Sequence, residues 1–243
     1  MLSVMRMKRR LNLGTEESQG GEMPKEPDFV PEDTRTDQAL ELAGTVASVV
    51  PWLGGPFSAV LGGMSFGRKI DRVKEVVNGV VADLHEFRSE VSERYVQTDE
   101  FQDLLEVTLK RASEERNEEK RKIYRDFVVN AIRRPGGSYD DRLRVLRTLE
   151  ELSPEHLRLL SAMAQDPPKL THAGGIGSPS QTLSKRLGGL ARESLDELVA
   201  DLNARRLTNL QSLHTTMTAH GAENLRSALT PFGRMVLEAG TKS

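Results

Sequence analysis

The chain has 243 residues, enough for one large domain or two small ones, and 37% of them are apolar. Lys and Arg total 34 against 36 Asp and Glu, which argues against a surface built wholly for nucleic acid or anionic lipid. The absence of Cys excludes a disulfide framework, a thiolate metal site and a thiol nucleophile, and fits a reducing, cytoplasmic compartment.

Residues 1–36 read as a disordered tail. Gly14 to Arg35 is polar, with Pro24, Pro27 and Pro31, and cannot bury enough apolar surface to offset its ordering entropy. Arg6, Lys8, Arg9 and Arg10 lie among apolar residues, without the long apolar run and cleavage site of a signal peptide. Near anionic lipid each such charge contributes about 1 kcal/mol of attraction.

From Leu42 to Gly67 there is no charged residue. The stretch meets the length of a membrane span, but Pro51, Pro56 and paired glycines interrupt it. It is expected to form an apolar helical hairpin: a helix from about Asp37 to Val50, a Pro-Trp-Leu-Gly-Gly-Pro turn, and a second helix starting near Pro56. Two readings stay open. The hairpin is the buried centre of a bundle, or it leaves the bundle and enters a bilayer through Trp52, Leu53, Phe57, Val60 and Leu61.

Ile70, Val73, Val77, Val80, Leu84, Phe87 and Val91 alternate spacings of three and four, the seam of a bundle helix predicted to run to about Tyr95. Gly79 within it suggests a close helix crossing. Thr98 caps the next helix. A junction near Ser113–Asn117 precedes a third long helix, which Arg133-Arg134-Pro135-Gly136-Gly137 ends. Glu118, Glu119, Lys120, Arg121 and Lys122 read as a solvated helix face. Ser138 with Asp141 resembles a capping box opening a helix to Leu152.

Ser153-Pro154-Glu155 starts a further helix, and Asp166 to Ser180 is expected to be a loop. Helices at about Pro179–Leu190 and Glu193–Arg206 follow. Leu207–Met217 and Asn224–Thr230 suit strands, turning at His220-Gly221-Ala222, before a last helix from about Pro231 to Ala239. This order, with LDELVADLNARRLTNL and LTPFGRMVLE, resembles the end of many bacterial winged-helix domains. The resemblance covers about Leu152 to Gly240 and implies a DNA-reading third helix with a two-stranded wing. Lys185, Arg186, Arg192, Arg205, Arg206 and Arg226 would then meet phosphate. The third helix, however, also carries Glu193, Asp196, Glu197 and Asp201, so protein contact is preferred over duplex DNA. The N-terminal half resembles, in pattern only, the helical membrane-acting domains of some cell-death and antiphage defence effectors.

No enzyme motif is present. His85, His156, His172, His214 and His220 include no i, i+4 pair for a metal. Gly174-Gly175-Ile176-Gly177-Ser178 lacks the Lys-Ser/Thr of a phosphate loop. No metal or cofactor is implied. The expected fold is mainly α: a helical bundle over 37–152 and a winged helix over 153–242. The expected function is a non-enzymatic bacterial interaction protein with a protein partner or a second copy packed on the bundle, and with membrane association in the second reading of the hairpin. The alternative is a DNA-binding regulator that dimerises through its helices.

Overall fold

A computed structural model describes residues 32–64, 67–87, 92–166 and 176–242. The basic residues at 6–10, Val91, His172 and most of the expected loop after Asp166 lie outside the described residues. Twelve α-helices and one two-stranded antiparallel sheet are present among them, so the fold is mainly α.

The charge-free stretch forms the second half of α1 (Glu32–Val49) and all of α2 (Pro51–Gly63), and α1 begins earlier than expected, taking in residues 32–36 of the stretch predicted to be a disordered tail. The predicted turn at 51–56 is instead the start of α2, with Pro51 at its first position, where a missing N–H costs nothing. Pro56 lies inside α2 and leaves the Trp52 carbonyl without its helical donor. Gln97 supplies one: its Nε2 donates to Trp52 O at 2.9 Å. The helices approach closely, because a Cβ on Gly54 would lie 2.5 Å from the Ala47 Cβ. Leu53, Phe57 and Leu61 are completely buried, and Val60 nearly so. Trp52 is partly buried against the same core.

The heptad seam forms α3 (Ile70–Glu86). It ends earlier than expected, at Phe87, and a separate turn, α4 (Glu93–Val96), buries Val96. Ile70, Val73, Val77, Val80 and Leu84 are buried within the chain against α1, α5 (Asp99–Glu114) and α6 (Glu118–Arg133). Phe87 is half-buried, with the Arg133 guanidinium 3.8 Å from its ring centre. Gly79 meets a side chain and not a helix backbone: a Cβ there would lie 2.4 Å from Arg125 Cδ.

Lys120 departs from the solvated face expected of it. It is 5% exposed, and its ammonium donates to Leu149 O and Leu152 O at the end of α7 (Tyr139–Glu151). A cation there meets the negative end of the helix dipole. Burial pushes the ammonium below its usual lysine range, while Glu115 and Glu150 oppose that shift.

The remaining elements are α8 (Pro154–Ala164), β1 (Ile176–Gly177), α9 (Pro179–Arg186), α10 (Arg192–Ala204), β2 (Met217–Thr218), α11 (Ala219–Glu223) and α12 (Pro231–Gly240). The predicted two-stranded wing is corrected. β2 pairs with β1, inside the expected loop, with Ile176 opposite Thr218. His220, Gly221 and Ala222 lie in α11, which the Thr218 hydroxyl caps at Gly221 N. The expected strands meet only near their outer ends, at the Thr208–Leu229 bridge. Asn203 explains the early parting: its Nδ2 donates to Leu210 O, and its Oδ1 accepts from Leu210 N and the Thr208 hydroxyl. The Leu210 backbone is thereby turned towards α10 and away from a cross-strand partner.

α12 packs on α6, α7 and α8, and the described residues from 32 to 242 form one compact unit. The boundary at 152/153 therefore separates stretches of sequence and not two packing bodies. The Asn130 amide on α6 holds the end of α12, donating to Glu238 O (2.9 Å), Ala239 O (3.2 Å) and Thr241 O (2.9 Å). At the start of α12 a Cβ on Gly233 would lie 2.0 Å from Leu207 O, so only glycine fits.

Gly233→Ala is expected to destabilise the chain by about 1–3 kcal/mol, the usual cost of overpacking. Gly44, within α1, has open space around its Cβ direction, and Gly44→Ala is expected to be neutral or to stabilise by up to about 1 kcal/mol. Urea denaturation of both variants checks the pair. Lys120→Met leaves two buried carbonyls without a donor and is expected to cost about 1–3 kcal/mol in the same assay.

Candidate functional site

The C-terminal helices are oriented by side-chain caps. Ser138 and Asp141 form a capping box at the start of α7, and Ser178 and Gln181 form one at the start of α9. Ser153 and His156 do the same for α8. His156 Nδ1 accepts from Ser153 N at 3.1 Å, which puts the ring proton on Nε2, 3.0 Å from Asp201 Oδ2 on α10. Arg205 then bridges Asp201, at 3.0 Å, and Glu151 on α7. One network thus ties α7, α8 and α10 together.

These contacts decide which charges on α10 face outward. Leu195, Val199 and Leu202 point into the core, while Arg192, Glu193, Glu197 and Ala200 are exposed. Asp196 pairs with His214 at 2.7 Å. Among the described residues Glu193 and Glu197 have no ion-pair partner, so the outward face beyond Arg192 is acidic in its first half. An open groove of about 580 Å³ runs beside it, between α10 and residues 210–215.

The six basic residues expected to meet phosphate are not gathered. Lys185 is exposed on α9, but Arg186 is half-buried and donates to Ala162 O at 2.7 Å. Arg192 starts α10 and Arg205 follows its end, roughly 18–20 Å away at the ordinary helical rise. Arg205 is consumed by Asp201 and Glu151, and Arg226 pairs with Asp166 at 3.0 Å. Arg206 is exposed in a left-handed backbone conformation, φ 58°, and its carbonyl accepts from the Thr230 hydroxyl. The His156–Asp201–Arg205 network was not legible in the sequence. Its one signal is His156 three residues after Ser153, where a capping box places Glu or Gln.

Among the described residues no helix is long and apolar enough to cross a membrane. Nor, among them, is any group of three His, Asp or Glu placed to hold a metal ion. No family model, curated protein or solved structure matches the chain.

Burial holds the His156 imidazole below its usual range; Asp201 and Glu155 oppose this, while Arg205 and Lys120 add to it. A depressed folded value means that the unfolded chain binds the proton more tightly. The contribution of His156 is therefore complete above about pH 6.5 and is lost as pH falls through the folded value. His156→Gln keeps a capping side chain, as Gln181 does for Ser178. The variant is expected to lose less stability than the parent between about pH 7.5 and 5.5. Urea midpoints across that range test this, and parallel profiles would reject it.

Proposed function

We propose that the chain is a non-enzymatic interaction protein whose residues 153–242 form a winged-helix module for contact with another protein. The succession α8, β1, α9, α10 and the short Thr208–Leu229 pairing supports a modified winged helix. The observation that carries protein contact is the charge on α10. Its outward face presents Glu193 and Glu197 in the first half of the helix, while Arg205 at the opposite end is neutralised inside the chain. Nucleic-acid binding draws its affinity from basic side chains that neutralise phosphates and displace their condensed counterions, and this face beyond Arg192 offers carboxylates. It suits a partner with a basic surface.

In this reading α1 and α2 are scaffold. Leu53, Phe57 and Leu61 have no exposed surface, and their transfer to a bilayer would open the shared core. The α3 seam is likewise satisfied inside the chain, so a second copy is not needed to cover it.

A photo-crosslinking residue placed at Glu197 in cells should yield a discrete adduct that Glu193→Lys removes. The same residue at exposed Asp103 on α5 should yield none. Equal adduct patterns at both positions would reject the assignment. Duplex DNA is expected not to bind at about 150 mM salt. Salt-dependent binding that weakens in Lys185→Ala and Arg192→Ala would replace protein contact with the regulator reading.

A further inference from the structure

A second concave site lies where α12 docks on the bundle, away from α10. It is a cleft of about 230 Å³ between the end of α6, the Gly136–Gly137 loop, α7 and α12. Phe127 and Val145 in its wall are 3% and 2% exposed. Met235, also in the wall, is 45% exposed and is, among the described residues, one of the few large apolar side chains left open to solvent. Arg134 and Arg142 bring positive charge to the lining, and Asp141 and Glu238 bring negative charge.

Asn130 forms part of the same wall and is 7% exposed. Its orientation is fixed, since Nδ2 donates to three carbonyls at the end of α12 and a flipped amide would set its oxygen against all three. Oδ1 is consequently buried without a partner. Buried acceptors are rarely left so, because each forfeits the water it gave up. The cleft therefore joins an apolar lining to one unused acceptor.

We propose that this cleft binds an aromatic group of one or two fused rings bearing an O–H or N–H donor, the donor pairing with Asn130 Oδ1. The volume matches such a group and is too small for a dinucleotide or an extended cofactor. The lining favours an aromatic over an aliphatic occupant. The Met235 thioether makes favourable contacts at ring edges, Phe127 offers a ring partner, and guanidinium groups stack on aromatic faces. Arg142 is already committed within the chain, 4.2 Å from the Tyr95 ring centre and donating to Gly136 O, so Arg134 is the guanidinium that would stack on the occupant. The ring can come as a free molecule or as a side chain on a polypeptide, and the chemistry is shared.

The test is an NMR titration of the full chain with indole, 1-methylindole and N-acetyltryptophanamide, read at the Asn130 side-chain amide and the Met235 methyl. Indole should shift both signals and saturate. 1-Methylindole, which keeps the ring but lacks the donor, should bind about tenfold more weakly. Met235→Ala alters an exposed side chain, so the fold should persist, and indole binding read at Asn130 should weaken severalfold. Binding of N-acetyltryptophanamide as well as indole would assign the site to a polypeptide side chain, and binding of indole alone to a free small molecule. No saturable shift with indole overturns the proposal. Equal binding of indole and 1-methylindole overturns the role of Asn130.

Discussion

The structure depends on the fit of α12 into the bundle. At one end the Leu207 carbonyl occupies the space a side chain on residue 233 would need. At the other end the Asn130 amide gathers three carbonyls that would otherwise end the helix without donors. Between them Val236 and Leu237 enter the common core. The last helix of the chain is thus bound to α6, at the centre of the N-terminal half, and the two halves share one apolar interior.

Buried charge follows the same logic. Asp83 on α3 is 7% exposed and is met by Arg125 at 3.0 Å and by Lys242, beyond α12, at 3.0 Å. Arg125 also reaches Asp126 at 2.8 Å, and burial pushes the Asp126 carboxyl above its ordinary value. A buried ion pair is a poor source of net stability, but loss of one partner strands the other in low dielectric. Lys242 and Lys120 therefore act as joints. Each carries positive charge from one element to carboxylates or carbonyls on another.

The surface of α10 is set by a separate group of pairings. Asp201 is spent on His156 and Arg205, and Asp196 on His214, so among the described residues Glu193 and Glu197 remain as its unpaired carboxylates. An arginine counted from sequence as a phosphate ligand is, in the fold, the neutraliser of two acids. The charge of a helix face is set by which groups are already paired, and composition alone does not reveal that.

Periodicity alone determined most of the helices. The spacing of Ile70, Val73, Val77, Val80 and Leu84 identified α3 and its inner face, and Ser138 with Asp141 marked the start of α7. Such signals are local: they lie within two or three helical turns, where 3.6-residue geometry brings the residues together. The tertiary structure decided what depended on distant partners. Gln97 lets α2 run through Pro56 by supplying a donor to Trp52 O. Asn203 turns Leu210 out of the expected strand, and β2 finds β1 instead. Lys120 is buried because the end of α7 lies over it, with acceptors 29 and 32 residues away in the chain. A hydrogen-bond partner so remote leaves no periodic trace in sequence, since its position is fixed by the packing of whole helices.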